Sequence, residues 1–453
     1  MSGWYEKVFS RLLYPAYETG LRRRHTLHYL DAYQRDQWST PEQIAALQWK
    51  RLKQLLEHCQ REVPYYRRRW RELGIEVADI RNLDDYARLP PLTKADIRNH
   101  FDELTAESWR GRLQTKATGG STGEPLRFGF NRESNDRRTA VMWRGYGWAG
   151  SRMGRRTLFL WGGAVGEPSH AHRFKDQLYN AAFARRVLDS FHMTESNMAQ
   201  YADAIDRYRP QVIVAYVGPL VRLAQWLAAS GRKIWRPHAI IGAAEALHEF
   251  QREVVQKAFG CPVFNTYGCR EFMLIAAECE QHRGLHVNAD HLVVELNPPA
   301  GTPAHVRSGE VVITDLFNYG MPFVRYANGD RATASGGYCA CGRGLPLLAR
   351  VDGRVLDAIR TPAGHVLPGE FFPHMLKDVN GLQRFQLVQR QLDRLDLSIV
   401  RGEGFDDDGS LAYIRREVGK VLGDSVALHC HFVDDIPLTP SGKLRVTVSE
   451  LTS

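Results

Sequence analysis

The hydrophobic pattern along the chain changes character three times, and those changes divide it. Through the first hundred or so residues apolar positions keep a helical period. Thr40 suits an N-cap, with Pro41 at the first helical position and Gln43 completing a capping box. Leu52, Leu55, Leu56 and Cys59 hold the period until Pro64 ends it, and Thr93 with Asp96 repeats the start signal in "LTKADIRNHF". Further on, short β-rich runs ("RTLFLWGG", "QVIVAYVG", "HAIIGAAE", "CPVFNTYG") alternate with helical segments such as "PLVRLAQWLAAS" and "ALHEFQREVVQKAFG". Strand and helix in turn predict a largely parallel sheet covered by helices. From His291 the runs "HLVVEL" and "GEVVITDL" follow without long helices between them, which predicts a smaller antiparallel sheet or barrel. Beyond Arg350 the pattern resets: "RFQLVQRQLDRLDLSIV" alternates, "SLAYIRREVGKVL" is an amphipathic helix and "VALHCHFVDD" a strand. The expected fold is α/β. A large unit spanning residues 1–353 carries helix-covered mixed sheets and a small antiparallel sheet or barrel, and residues 354–453 form a mobile α+β unit.

Composition narrows the class. A chain of 453 residues exceeds one average core, and 43% apolar with 25% charged residues is an ordinary globular balance. The net charge of +9 stems from stretches such as "GLRRRH" and "YYRRRW" and suits nucleic acid, an anionic membrane surface, or anionic substrates such as nucleotides and coenzyme A. No basic stripe accompanies a nucleic-acid motif, so nucleic acid is set aside. No apolar run approaches the roughly 20 residues of a membrane span, and no signal segment is evident. A cytoplasmic location with reduced cysteines is the expectation. The apolar and aromatic opening "WYEKVFSRLLYPAY" is expected to pack on its own globule, with peripheral membrane contact as the alternative.

Five stretches carry candidate chemistry. "TKATGGSTGEPLRFGF" gathers glycines and hydroxyls whose N–H and O–H donors suit a polyphosphate, although a Ser/Gly-rich turn alone would look the same. "NTYGCREF" offers Tyr267, Gly268 and Glu271 after an apolar strand; Tyr267 is equally suited to a core. "VRYANGDR" places Asp330 where a carboxylate can accept both ribose hydroxyls, or cap a turn. "ARVDGRVLD" puts Arg350 and Arg354 at the joint between units, and "DDIPLTPSGKLR" sets Lys443 on a Pro/Ser/Gly turn. Each is ambiguous alone; their order is what informs.

That order resembles the adenylate-forming superfamily of acyl-CoA synthetases, in particular its phenylacetate–CoA ligase-like branch with the capsular polysaccharide homologues. The resemblance runs from the helical N-terminus to Lys443. It implies ATP-dependent activation of a carboxylic acid to an acyl-adenylate, then transfer to CoA as a thioester. It implies that Thr118, Gly119, Gly120, Ser121, Thr122 and Gly123 hold the ATP phosphates, that Ala244 and Glu245 border the adenine, and that Tyr267, beside Gly268, stacks on it. Glu271 would help hold Mg²⁺, Asp330 the ribose, Arg354 the ribose or phosphate, and Lys443 the substrate carboxylate and α-phosphate. Two departures stand out. Leu126 and Arg127 follow Pro125 where many members carry lysine, and Leu356, with Asp357 next, occupies the hinge position usually acidic or lysine. The alternatives are a non-CoA acceptor, such as a sugar amine or hydroxyl, and a non-catalytic scaffold. A P-loop kinase is disfavoured, because the loop lacks the terminal Gly-Lys-Ser/Thr. Trp161, Tyr216 and Phe264 are candidates for the acid pocket, and the enzyme would be a monomer or homodimer.

A separate set concerns metal. "CEQHRGLH" supplies Cys279, His282 and His286, and "YCACGRG" supplies Cys339 and Cys341. A Cys-x-Cys knuckle with a Cys/His pair suits tetrahedral zinc, though the halves lie some sixty residues apart, and reduced cysteines also pack near turns. Of the two histidines His286 is preferred, since His282 sits among polar residues.

Overall fold

The structure, a computed structural model, describes residues 2–117, 126–161, 170–190, 193, 195–298, 307–354, 359–362, 366–367, 372, 376, 379, 381–402, 404–423, 425–436 and 447–451. The N-terminal region is helical, as its period predicts. The helix Pro41–Glu62 opens on a complete capping box, Gln43 N–H donating to Thr40 Oγ1 (3.3 Å) and Thr40 N–H to Gln43 Oε1 (2.9 Å). It ends at Val63, whose backbone turns extended ahead of Pro64. Thr93 and Asp96 cap the helix Lys94–Asn99 in the same reciprocal way. The inward stripe of Leu52, Leu55, Leu56 and Cys59 joins Phe128, Ile313 and Tyr326 in the largest core, so these helices belong to the main unit.

The sheet is assembled from strands far apart in sequence. β1 (Gln114–Ala117) and β2 (Arg127–Phe130) form a two-stranded antiparallel sheet. β3 (Thr157–Trp161), β4 (Arg185–Asp189), β5 (Val212–Tyr216), β6 (Ala239–Ala243) and β7 (Val263–Tyr267) pair in parallel, in the order β4-β3-β5-β6-β7. Helices Met198–Tyr208, Val217–Ser230 and Glu249–Phe259 supply the crossovers and much of a second core. After β7 the direction reverses. β8 (Ala276–Glu278), β9 (Leu285–Val287), β10 (Leu292–Asn297), β11 (Ser308–Asp315), β12 (Tyr326–Ala334) and β13 (Leu347–Arg354) pair antiparallel. The antiparallel strands expected after His291 are present, but they hydrogen-bond onward to β7 through β9 and β8. Parallel and antiparallel halves are therefore one sheet of eleven strands, β10-β11-β12-β13-β9-β8-β7-β6-β5-β3-β4.

The C-terminal residues form their own sheets: β14 (Ile359–Arg360) with β15 (Val366–Leu367), and β16 (Leu382–Gln391), β17 (Arg394–Arg401), β18 (Ala427–Phe432) and β19 (Thr447–Ser449) in the order β18-β17-β16-β19. The helix Asp407–Leu422 packs on this sheet through Ile414 and Val418, giving a separate core with Phe372, Leu387 and Leu397. No helix among the described residues is long and apolar enough to cross a membrane.

The helix Arg132–Trp148 ties down the antiparallel half with buried charge. Arg144 is 1% exposed and binds Asp290 (0%) through two contacts of 2.5 and 2.8 Å, while also donating to Asn288 Oδ1 and the Tyr33 carbonyl. Two turns earlier in the same helix, Arg138 binds Asp315, which also accepts from Ser134 Oγ at 2.9 Å. Breaking one side of such a pair strands a buried charge. Arg144→Met is expected to cost about 3–5 kcal/mol, read as a fall in the urea midpoint of the N-terminal unit. A loss below about 1 kcal/mol would mean that Asp290 is solvated in the folded protein.

Candidate functional site

The carboxyl ends of the parallel strands share one edge of the sheet. Register sets Leu160 beside Ala215, Tyr216 beside Ala243, and Gly242 beside Asn265. In open α/β sheets, ligands bind beyond this edge. Trp161 and Tyr216, at the ends of β3 and β5, bring their rings to 4.5 Å. Phe264 lies within the sheet's apolar layer with Val214 and Ile241, against which Trp161 also packs. Past the end of β6, Ala244 takes a left-handed conformation (φ +68°), unusual for a residue with a Cβ. The turn delivers the Glu245 carboxylate to the first turn of the helix Val217–Ser230, where it accepts from Gly218 N–H at 2.5 Å.

The end of β7 holds the densest polar group. The Tyr267 hydroxyl donates to Asp330 Oδ2 at 2.8 Å, and Asn328 Nδ2 donates to both the hydroxyl (2.8 Å) and Asp330 Oδ2 (2.7 Å). Asp330 N–H returns a bond to Asn328 Oδ1 at 3.0 Å, closing the triangle. Burial pushes the Tyr267 phenol well above its usual pKa and the neighbouring Asp330 adds to the shift, so the hydroxyl stays a neutral donor at physiological pH. Asp330 lies on β12 opposite Arg354 of β13. Glu271 is buried and accepts from the Tyr326 hydroxyl at 3.1 Å. Gly268 allows the chain to fold back on itself, since a Cβ there would lie 1.9 Å from the Met273 carbonyl oxygen. Tyr267, Gly268, Glu271 and Asp330 are thus brought together.

Other expected residues fall elsewhere. Thr118, Gly119, Gly120, Ser121, Thr122 and Gly123, the hinge positions Leu356 and Asp357, Lys443 and the Arg354 side chain lie outside the described residues. The point where the glycine-rich segment departs is described: Ala117 pairs with Arg127 across the β1–β2 hairpin, and its carbonyl accepts from Arg270 at 2.8 Å. Arg270 belongs to the same turn as Gly268 and Glu271, so Ala117, the last described residue before the glycine-rich stretch, is tied to that turn. Neither Arg270 nor Asn328 was singled out from sequence. For Asn328 a signal exists, because two residues before Asp330 on a strand is the same face.

The cysteine–histidine set converges. Cys279 follows β8, His286 lies on β9, and Cys339 and Cys341 come from the loop between β12 and β13; β9 pairs with both β8 and β13, which closes the sequence gap. One donor atom from each of the four lies within 4.8 Å of all the others. Cys279 and Cys339 Sγ are 3.7 Å apart, close to the roughly 3.8 Å edge of a tetrahedron with Zn–S bonds of about 2.3 Å. His286 Nδ1 faces the Leu345 carbonyl at 3.3 Å, leaving Nε2 3.3 Å from Cys341 Sγ. Burial lowers its pKa to about 4, which keeps the ring neutral, as a metal ligand must be. His282 lies apart, with Nδ1 3.3 Å from Glu278 and its ring 4.5 Å from Phe264. The residues present fit zinc.

Comparison with known proteins follows the same lines. The family model of the CapK C-terminal domain matches residues 359–450. A phenylacetate-coenzyme A ligase of Thermus thermophilus is 28% identical over 440 residues, covering 89% of this chain and 96% of the ligase. Protein CapK of Staphylococcus aureus is 22% identical over 441 residues, covering 95% of this chain and 94% of CapK. Among solved structures, 2-hydroxyisobutyryl-CoA ligase in its postadenylation state with R3-HIB-AMP superimposes with a TM-score of 0.67 at 19% identity, covering 92% of this chain and 91% of that one. At that identity the likeness concerns the fold.

The Gly268 contact gives a direct check on this geometry. Gly268→Ala must move backbone rather than a side chain, and is expected to cost about 1–3 kcal/mol, with a lower melting temperature. Unchanged stability would show that the turn relaxes freely, so that the close approach to Met273 does not hold Tyr267 in place.

Proposed function

Because the chain belongs to the phenylacetate–CoA ligase-like branch of the adenylate-forming enzymes, together with CapK, we propose that it activates a carboxylic acid with ATP and passes the acyl group to CoA. The supporting observation is the Tyr267–Asn328–Asp330 triangle at the carboxyl edge of the sheet, with Arg270 of the following turn bonded to the Ala117 carbonyl. In this reading Asp330 accepts the ribose hydroxyls, and Tyr267, its hydroxyl tethered and its ring therefore fixed in rotation, lies against the adenine with Ala244 and Glu245 at the border. Thr118, Gly119, Gly120, Ser121, Thr122 and Gly123 surround the phosphates, and Arg354 lies beside ribose or phosphate.

The chemistry explains the remaining residue types. A carboxylate oxygen of the acid bonds to the α-phosphorus, the bond from that phosphorus to the bridging oxygen breaks, and pyrophosphate leaves with the electron pair. Two anions must approach, so positive charge has to be supplied at the reacting centre. Lys443 supplies it from the C-terminal unit, between the carboxylate and the α-phosphate. Glu271 would hold Mg²⁺, which when bound would neutralise charge on the phosphates. In the second step the CoA sulfur attacks the acyl carbon and AMP departs. CoA is preferred to a sugar amine or hydroxyl as acceptor because a relative named as a CoA ligase aligns with 89% of the chain. We place the division between units at residues 353 and 354, near the end of β13, with the second unit closing over the nucleotide. Trp161 and Tyr216 line the acid's side of the edge.

Two experiments bear on this reading. Lys443→Ala is expected to slow adenylate formation by on the order of a hundredfold or more, while use of a pre-formed acyl-adenylate with CoA is far less affected. Equal losses in both half-reactions would assign the lysine to folding or general binding. For the metal set, we propose zinc on Cys279, His286, Cys339 and Cys341. Purified protein should then hold about one equivalent by elemental analysis, and Cys341→Ser should lose it. Structural zinc is worth on the order of 10 kcal/mol of apparent binding energy, so stripping it should lower the melting temperature markedly. Metal-free protein of undiminished stability would remove the proposal.

A further inference from the structure

The first turns of the chain have an inner face that is fully used and an outer face that is not. The helix Ser2–Val8 continues into wide turns, Phe9–Leu13 and Ala16–Leu21, closed by bonds five residues apart such as Tyr14 N–H to Phe9 O. Buried positions therefore recur at Phe9, Tyr14 and Glu18, a spacing of five and then four. Phe9, Tyr14 and Tyr17 pack around Phe183, with ring centroids at 5.2, 5.8 and 5.4 Å. That much satisfies the expectation that this segment packs on its own globule.

The outer face is apolar and cationic. Trp4 is 73% exposed, Leu12 65%, Leu13 48% and Leu21 74%. Leu178 and Tyr179 of the helix His170–Ala182 are also exposed, Tyr179 lying 6.3 Å from Tyr17. Lys7, Arg11, Arg22 and Arg23 are exposed along the same segment. Its two acids are turned away from solvent. Glu6 is held by Arg155 at 3.2 Å, and Glu18, 2% exposed, by Thr26 at 2.9 Å and Arg24 at 3.6 Å. The only acid on the adjoining helix near this surface, Asp176, is next to Lys175. With Glu6 and Glu18 held in ion pairs and Lys7, Arg11, Arg22 and Arg23 exposed, the exposed surface of residues 2–23 is cationic around bulky apolar side chains.

We propose that this face is a peripheral membrane-binding surface for anionic lipid. Trp4, Leu12, Leu13 and Leu21 would enter the interfacial region, and Lys7, Arg11, Arg22 and Arg23 would lie at the level of the lipid phosphates. Apolar area and cationic charge act together in such binding, and neither suffices alone. The charge selects the occupant: a second copy of this chain would present the same cations and be repelled, whereas an anionic bilayer is complementary. The inference is independent of the proposed reaction.

Flotation of the full chain with vesicles of phosphatidylcholine containing about a third phosphatidylglycerol, against phosphatidylcholine alone, tests it. Binding is expected only to the anionic vesicles and to weaken as salt rises through the physiological range. Leu12→Ser with Leu13→Ser, and separately Arg11→Gln with Arg22→Gln and Arg23→Gln, should each lower the partition coefficient at least tenfold. The melting temperature should not change, since these side chains are exposed. Equal partition into both vesicle types, no binding at low salt, or binding untouched by either set of variants would overturn the proposal. So would a concentration-dependent dimer abolished by Leu12→Ser with Leu13→Ser, which would assign the face to a second copy.

Discussion

The reversal of strand direction after β7 is the constraint from which the candidate site follows. A parallel sheet offers its strand ends at one edge, and there the chain normally leaves for a crossover helix. After Tyr267 it instead folds back at Gly268 and begins an antiparallel run. That turn is tight enough that a Cβ at Gly268 would lie 1.9 Å from the Met273 carbonyl. The antiparallel strands then bring β12 back past the end of β7, and Asp330 meets Tyr267 at 2.8 Å despite 63 residues of separation. A site made this way combines residues from both halves of one sheet. Its geometry is only as firm as the pairing that joins them.

Buried polar contacts provide that firmness. The helix Arg132–Trp148 reaches Asp290 before β10 and Asp315 at the end of β11, each through an arginine with almost no solvent contact. Apolar packing alone would not distinguish one register of neighbouring strands from another as sharply, because a charge left unpaired in the core is costly. The cysteine–histidine cluster acts at the other side of the same strands. Arg343, two residues beyond Cys341, lies over the Trp38 and Trp148 rings and binds Gln37 and Glu280, so the cluster is joined to the N-terminal helices.

Much of the local structure was legible because its cause is local. Capping boxes at Thr40 and Thr93 need only residues three apart, and the stop at Pro64 follows from proline itself. The choice of His286 over His282 also came from local polarity, and it matches the geometric cluster. What was not legible depends on pairing at long range. The union of the two half-sheets requires β9 to pair with β13, sixty residues on, and no periodicity announces that. Nothing in the sequence sets Arg138 and Arg144 apart, because their helix has no single apolar face and is covered on several sides. Arg270 gains its meaning only from the position of Ala117. The roles proposed for the glycine-rich segment and Lys443 rest on family resemblance, their order along the chain being the informative signal.

Adenylation is the claim on which the functional reading stands, and isotope transfer tests it most directly. Carboxylic acids that support ATP turnover with CoA would be supplied with ¹⁸O in the carboxylate, and the nucleotide product analysed by mass spectrometry. If the carboxylate attacks the α-phosphorus, the products are AMP and pyrophosphate, and AMP carries one ¹⁸O atom left behind when CoA takes the acyl group. ADP with labelled inorganic phosphate would show attack at the γ-phosphorus and an acyl-phosphate route. That result would contradict the account of the site given by Tyr267, Asp330 and Lys443.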